Sequence, residues 1–174
     1  MIWTIPSGKY KLWNSLELSL ETDFSVSTGE VHQIKGMNGS GKSSFLKQLL
    51  LPYLRTNPGG QYVMYIEQQV QSQMDAITAY SDLHRHPGQI QSTADLLKYQ
   101  FFLLKESLAM QTRPCIIIAD ECSNMNELLE GIQQLGFDNT CLIFVAHQQI
   151  ELLTKYNVFT HYVTKVNPEV AKLD

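Results

Sequence analysis

Residues 36–44 read Gly36-Met37-Asn38-Gly39-Ser40-Gly41-Lys42-Ser43-Ser44. The segment matches the P-loop pattern G-x-x-x-x-G-K-[ST], in which glycines let the backbone wrap closely around a phosphate chain and aim successive N–H groups at it. The lysine of the pattern adds a positive charge at the outer phosphates, and the hydroxyl that follows it can ligate Mg²⁺. The segment therefore predicts a binding site for a nucleoside triphosphate.

The residues on both sides of this segment form the pattern that a P-loop requires. Residues 30–35 predict a short strand that runs into the loop. Apolar residues at helical spacing follow the loop: Phe45, Leu46, Leu49 and Leu50. We expect Pro52 to end that helix, because the residue before a proline is pushed out of the α region. The start of the helix would aim the positive end of its dipole at the bound anion. The alternative is a Gly/Ser-rich turn that contains a lysine by chance. Such a turn would need neither a strand before it nor a helix after it.

Length, charge and cysteine content narrow the class of protein. A chain of 174 residues is long enough for one well-buried domain and short for two, so we predict a single domain over Met1–Asp174. The formal net charge of −4 gives no general basic field, and we expect no direct binding of nucleic acid. No apolar stretch approaches the roughly 18 residues that span a bilayer. Cys115, Cys122 and Cys141 form no C-x-x-C pair, which is typical of a reducing cytoplasm.

The N-terminal part of the chain predicts antiparallel β-structure. Apolar and polar residues alternate with period two over residues 16–27, as in strands with one solvated face. Three aromatic residues in this part have polar surroundings that predict exposure, namely Trp3, Tyr10 and Trp13. They either cap the edge of the sheet, or one of them stacks on a nucleotide base, because an aromatic face binds a planar ring without hydrogen bonds.

Polar side chains follow three predicted strands at the point where each strand ends. Gln68 follows the strand at residues 62–66, and Asp120 and Glu121 follow the apolar run at residues 115–119. His147 follows residues 141–146. Open α/β sheets bind ligands at this end of their strands. An acidic pair at the tip of a buried strand is costly unless a cation or hydrogen bonds compensate it. The alternatives are an ordinary surface loop for the two acids and a structural role for the histidine.

The remaining segments complete the predicted fold. Ser92 resembles the first residue of a helix cap, Asn126 predicts the start of another helix that Gly136 ends, and residues 156–163 predict an edge strand before a polar tail. His84 and His86 could suggest a metal site, but a solvated loop is the better interpretation because no third ligand follows at a recognisable spacing. We predict an α/β fold of three layers, with a mainly parallel core sheet, an antiparallel N-terminal β part and a reduced helical insertion at roughly residues 69–110.

In its order of motifs the chain resembles the nucleotide-binding domain of ABC-type ATPases. The resemblance runs from about residue 13 to about residue 163. It rests on four motifs in order, namely the P-loop segment, a Q-loop glutamine at Gln68, the acidic pair Asp120-Glu121 after four apolar residues and a switch histidine at His147. The resemblance implies a P-loop NTPase fold, ATP and Mg²⁺ as ligands, and ATP hydrolysis.

The resemblance also implies a role for each matched residue. Lys42 and the backbone of residues 39–44 would hold the β- and γ-phosphates, and Ser43 and Asp120 would bind Mg²⁺. Gln68 would contact the metal or the attacking water, Glu121 would be the general base, and His147 would contact the γ-phosphate. Trp13 would stack on the base, with Tyr10 as the alternative. The nucleotide-binding set is then Gly36, Asn38, Gly39, Ser40, Gly41, Lys42, Ser43, Ser44 and Trp13.

One family motif is absent. The Leu-Ser-Gly-Gly-Gln signature is expected near residues 91–96, and no glycine occurs there to let a backbone approach the γ-phosphate of an opposing subunit. The resemblance implies a head-to-tail dimer around ATP, formed either by two copies of this chain or with an ABC partner that carries the signature. It also implies a cytoplasmic subunit, held at the membrane only by a partner such as a separate permease.

Three functional hypotheses follow. The first is an ATPase subunit that converts dimer closure into work on a partner. The second is a nucleotide-dependent switch or assembly module with little hydrolysis, because the signature is missing. The third is a small-molecule kinase, which is weaker because Glu121 directly after Asp120, together with His147, suits activation of water better than phosphotransfer.

Overall fold

The computed structural model describes residues 1–13, 16–56, 60–68, 75, 92–109, 113–122, 125–146, 153 and 156–174. Within these ranges the chain forms ten strands: β1 (Ile2–Ile5), β2 (Gly8–Lys11), β3 (Glu17–Leu20), β4 (Phe24–Ser27), β5 (Val31–Lys35), β6 (Tyr62–Ile66), β7 (Cys115–Asp120), β8 (Thr140–Val145), β9 (Val158–Asn167) and β10 (Val170–Leu173). The helices are α1 (Lys42–Ser44), a π-helical segment (Phe45–Leu50), α2 (Leu51–Thr56), α3 (Thr93–Ala109), α4 (Met125–Leu135) and a 3₁₀ turn (Phe137–Asn139).

Eight of these strands form one sheet in the order β2-β3-β10-β9-β5-β8-β7-β6. From β9 to β6 every neighbouring pair is parallel. The pairs β2–β3 and β9–β10 are antiparallel, and β1 and β4 form a separate antiparallel ribbon. This arrangement confirms the predicted parallel core and antiparallel N-terminal part. It also places β8 between β5, which leads into the P-loop segment, and β7, which ends at Asp120.

Helices and the β1–β4 ribbon cover the two faces of the sheet, so the predicted three layers are confirmed. One hydrophobic cluster joins the sheet to the ribbon and to the helix after the P-loop segment, with Trp3, Phe24, Phe45, Leu46 and Leu50 among its members. The other joins the opposite face to α3 and α4, with Leu97, Phe101, Leu128, Leu129 and Ile132 among its members. Strands β7 and β8 are buried at every position, which explains the apolar runs at residues 115–119 and 141–145.

The prediction that Pro52 ends the first helix is wrong. The segment Phe45–Leu50 is π-helical, the N–H of Leu51 bonds to the carbonyl of Leu46, and α2 then continues through Pro52 to Thr56. A proline in a regular α-helix lacks the N–H for its bond and clashes with the carbonyl four residues earlier. The wider i→i+5 turn ahead of Pro52 relieves this conflict.

The predicted edge strand and polar tail at the C-terminal end are also wrong. β9 lies inside the sheet between β5 and β10, and β10 lies between β9 and β3. Burial of Val163, Ala171 and Leu173 against the first hydrophobic cluster holds this hairpin in place. A four-residue strand with a lysine in it has too weak an alternation to be distinguished from a tail by sequence alone.

Three further expectations have mixed outcomes. The strands predicted over residues 16–27 lie in different sheets: β4 is antiparallel to β1, and β3 is antiparallel to β2 but parallel to β10. The prediction that Trp3 is exposed is wrong, because only 3% of its surface is exposed. The predicted cap of α3 is confirmed, since Ser92 Oγ accepts from the Asp95 N–H at 3.1 Å.

Most of the predicted insertion at residues 69–110 lies outside the described residues. No helix in the described ranges is long and apolar enough to cross a membrane.

Candidate active site

The P-loop segment is built around a close approach that only glycine allows. Gly36 has a φ of 155°, and a Cβ added to it would lie 2.4 Å from the carbonyl oxygen of Val163 and 2.6 Å from Ser40 Oγ. Gly41, with a φ of 106°, precedes the first residue of α1. Side chains are unfavourable at such positive φ angles. The loop therefore folds tightly between β5 and α1, against the neighbouring strand β9.

Lys42 lies inside the loop and not in solvent. Only 6% of its surface is exposed, and its Nζ donates to the carbonyl oxygens of Gly36 and Met37, both at 3.0 Å. A buried ammonium group must be compensated by hydrogen bonds or by a negative charge. The two carbonyls hold the amine at the loop, where it can meet an anion.

Asp120 is the buried acid beside the loop. Its carboxylate is 1% exposed, and it accepts from Ser43 Oγ at Oδ1 and from the Tyr65 hydroxyl at Oδ2, both at 3.1 Å. Burial, and then the charge of Asp120, raise the pKa of Tyr65 well above its ordinary value, so the phenol remains the donor. Tyr65 was not among the predicted site residues, because within an apolar strand a tyrosine resembles any core aromatic.

Glu121 follows in an unusual backbone conformation. Its φ is +55°, and it is the one non-glycine residue with positive φ in the described part of the chain. Its Oε2 accepts a hydrogen bond from the Nε2 of Gln68, which lies at the end of β6. Such conformations are held only when the surroundings impose them, and they are common at functional sites. The structure thus brings Gln68 and Glu121 together.

A cavity of ≈ 700 Å³ opens in front of these groups. Its lining includes nine of the predicted site residues: Trp13, Asn38, Gly39, Gly41, Lys42, Ser43, Ser44, Gln68 and Glu121. Gly36, Ser40 and Asp120 do not line the cavity, but Asp120 accepts a hydrogen bond from Ser43, which does. His147 lies outside the described residues, so its predicted place beside the others stays a prediction. A volume of this size is in the range of small-molecule and cofactor sites.

Three residues that line the cavity were not among the predicted site residues: Leu16, Lys165 and Pro168. Lys165 and Pro168 belong to the β9–β10 hairpin, which the sequence suggested was mostly tail. Trp13 is 77% exposed beside them, and its backbone N–H donates to Gln48 Oε1 at 2.6 Å. Tyr10, the alternative aromatic, does not line this cavity, and its hydroxyl donates to the carbonyl of Pro6.

The oxygen atoms near Lys42 fit a hard divalent cation. Ser43 Oγ and Asp120 Oδ1 lie 3.1 Å apart, and Mg²⁺ binds proteins through one or two carboxylates or hydroxyls while substrate phosphates and water complete its shell. In the part of the chain that the structure describes, no group of three or more His, Cys, Asp or Glu side chains could hold a metal by itself.

Comparison with known proteins supports the fold. No protein-family model matches the sequence, and no curated protein sequence matches it. The chain is similar to the crystal structure of an ATP-binding cassette of an ABC transporter in its ADP conformation, with a TM-score of 0.50 and 14% identity over 100% of this chain and 90% of that one. It is also similar to PCH-2 of C. elegans, with a TM-score of 0.44 and 17% identity over 76% of this chain and 34% of that one. The sheet topology and the first of these likenesses show an α/β fold of the P-loop NTPase kind.

Proposed function

We propose that this chain binds ATP with Mg²⁺ and hydrolyses it, as an ATPase subunit of ABC type. The observation that supports this proposal most is that one cavity is lined by Lys42, Ser43, Gln68 and Glu121. Ser43 is in turn hydrogen-bonded to Asp120. These groups come from the ends of different strands and from the P-loop segment. A cation, two polar donors and two carboxylates at one point match the requirements of a triphosphate and its metal.

In this proposal the loop binds and orients the phosphates. The N–H groups of residues 39–44 donate to phosphate oxygens, and Lys42 Nζ adds its charge where the β- and γ-phosphates meet. Ser43 Oγ and Asp120 Oδ1 would hold Mg²⁺, which when bound neutralises charge on the phosphate oxygens. Trp13 covers one face of the base, and the hairpin residues Lys165 and Pro168 form the wall beside it.

Hydrolysis would depend on Glu121. Its carboxylate accepts a proton from the water that attacks the γ-phosphorus, the bond from the γ-phosphorus to the bridging oxygen breaks, and ADP and inorganic phosphate leave. The bond from Gln68 Nε2 to Glu121 Oε2 and the imposed φ of Glu121 support a fixed orientation of this base. His147 would contact the γ-phosphate from the end of β8.

A second subunit would complete the site. Residues 91–96 contain no glycine, so an ABC partner that carries the signature is the better complement, and a head-to-tail pair of this chain is the alternative. The exposed side chains of Met37 and Trp13, at 84% and 77%, support a surface beside the cavity that a partner covers. A separate membrane permease would be the target of the work, and the subunit itself would be cytoplasmic.

The proposal is tested by ATP binding and turnover of three proteins. Glu121→Gln is expected to bind Mg-ATP like the wild type and to lose turnover by about a hundredfold or more, as expected for loss of a general base. Lys42→Ala is expected to lose binding. Equal turnover of wild type and Glu121→Gln would exclude Glu121 as the base. Binding without turnover in the wild type would favour the nucleotide-dependent switch, and unchanged ATP affinity in Lys42→Ala would contradict the phosphate site.

A further inference from the structure

We propose that Tyr65 is a positioning residue for the divalent cation, because it anchors one oxygen of Asp120 so that the other faces Ser43. This inference rests on the proposed function, in which Ser43 and Asp120 bind Mg²⁺. Tyr65 itself touches neither metal nor nucleotide in this proposal. It acts through the carboxylate that it holds.

The two oxygens of Asp120 have partners on different elements. The hydroxyl of Tyr65, on β6, donates to Oδ2 at 3.1 Å, and Ser43 Oγ, on α1, donates to Oδ1 at 3.1 Å. The terminal torsion of an aspartate is broad and roughly two-fold, so a carboxylate without an anchor can exchange its two oxygens. An anchored Oδ2 leaves Oδ1 as the oxygen that is presented on the side of Ser43. A hydroxyl has two lone pairs besides its O–H, so Ser43 Oγ can ligate a metal and still donate to Oδ1, while Tyr65 holds Oδ2.

The phenol ring is itself held in place. Tyr65 is 9% exposed and pairs with Ile118 in the parallel register of β6 and β7. Lys47, on the helix after the P-loop segment, places its Nζ 5.7 Å from the centre of the ring and 3.8 Å from a carboxylate oxygen of Glu67. The ring therefore contacts both the strand that carries Asp120 and the helical segment that follows Ser43. Its hydroxyl can position the carboxylate because its own freedom is small.

The end of β6 also contacts Glu121, the second residue of the acidic pair. Gln68, three residues after Tyr65, donates through Nε2 to Glu121 Oε2. The end of β6 thus supplies one donor to each member of the acidic pair. Tyr65 would fix the metal-binding carboxylate and Gln68 the proposed base, so that one short segment sets the geometry of both.

Tyr65→Phe removes only the hydroxyl and separates positioning from packing. The matched control is Tyr53→Phe, which removes a half-buried tyrosine hydroxyl that donates to the carbonyl of Thr4 at 2.6 Å and has no contact with the acidic pair. The measured quantity is the dissociation constant of ATP by calorimetry, with excess Mg²⁺ and with a chelator. The ratio of the two constants gives the enhancement of binding by Mg²⁺, and thermal unfolding of each variant is followed in parallel.

Tyr65→Phe is expected to keep the metal-free affinity and to lose about tenfold or more of the Mg²⁺ enhancement, the effect of about one hydrogen bond to a charged group. Tyr53→Phe is expected to keep the wild-type ratio. Since both constants come from the same variant, a loss of folded protein lowers the number of sites and leaves the ratio unchanged. A wild-type ratio in Tyr65→Phe would overturn the inference and leave Tyr65 with a packing role. A wild type that binds no ATP, or shows no Mg²⁺ enhancement, would overturn the proposed function first.

Discussion

Ser43 Oγ donates to Asp120 Oδ1 at 3.1 Å, across a sequence separation of 77 residues. The contact joins the first turn of the helix after the P-loop segment to the end of β7, the next strand but one from β5 in the sheet. A hydroxyl and a carboxylate at this distance can hold Mg²⁺ when a phosphate and water complete its shell. The role of each residue of this pair in binding Mg-ATP can be tested by its own substitution.

Ser43→Ala is expected to lower the affinity for Mg-ATP by about tenfold, because it removes one metal ligand and one donor to Asp120. The affinity for ATP in the presence of a chelator should change little. Ser44→Ala is the control, since it removes a neighbouring hydroxyl of the same cavity wall and keeps the backbone N–H. Calorimetric titration of both variants checks the prediction, and an equal loss in the two would show that Ser43 has no special role.

Gly36→Ala is expected to destabilise the fold by about 2–4 kcal/mol, because its Cβ would lie 2.4 Å from the backbone oxygen of Val163 in addition to the strain of the φ angle. Gly60→Ala is the matched control, since Gly60 has a φ of +68° and no atom of the described residues lies within 4 Å of its added Cβ. That variant should lose about 1 kcal/mol from backbone strain alone. Urea unfolding of the two proteins measures the difference, and equal losses would contradict the close approach of the loop to β9.

Much of this architecture could be predicted from the sequence, and the reasons for the exceptions are physical. The P-loop segment, Asp120, Glu121 and Gln68 could be found because each follows a strongly patterned strand or matches a motif with a mechanism. Lys165 and Tyr65 could not, because each owes its place to long-range pairing, of β9 with β5 and of β6 with β7. Pro52 was misinterpreted because a local rule for α-helices does not anticipate a π-helical turn.

Lys165→Ala is expected to weaken ATP binding by about three- to fivefold at low salt and by less at high salt, because Lys165 faces the cavity as an exposed cation and such attractions are screened. Lys11→Ala removes the same charge from an exposed position of β2 that does not line the cavity. Titrations at two salt concentrations check both variants. A loss for Lys165→Ala that is independent of salt would show that the stem of the side chain matters, and not its charge.

The two tryptophans allow a direct test of base stacking. Trp3 is buried in the first hydrophobic cluster, whereas Trp13 is 77% exposed at the cavity. ATP is therefore expected to quench the fluorescence of Trp13 alone. The quenching should disappear in Trp13→Phe, which keeps an aromatic face and should bind ATP with an affinity within about threefold of wild type. Quenching that persists in Trp13→Phe would show that ATP acts on Trp3 through a conformational change.

A hydrogen-bonded histidine pair is expected to make the fold sensitive to acid. His32 Nδ1 lies 3.0 Å from His161 Nε2, and His32 Nε2 lies 2.9 Å from Glu30 Oε2, with the rings of Phe24 and Phe159 packed around them. Burial, and then the neighbouring His32, lower the pKa of His161 to about 4, and burial also lowers the pKa of His32 against the opposing effect of Glu30. The pKa of Glu30 is lowered as well, because hydrogen bonds from Ser27 and His32 outweigh its burial.

Each of these lowered pKa values makes the folded protein less stable at acidic pH. A histidine whose folded pKa lies below its unfolded value near 6.5 takes up a proton on unfolding, so the free energy of unfolding falls as the pH drops from about 6.5 to about 4 and levels off below. Glu30 lowers the free energy of unfolding further when the pH falls below the ordinary pKa range of a glutamate. The wild type is expected to lose about 1–3 kcal/mol between pH 7.5 and pH 4.5, measured by urea unfolding. In His161→Phe, which cannot take up this proton, the loss should be smaller by about half. A pH profile that is the same in both proteins would show that this histidine pair does not control the acid sensitivity.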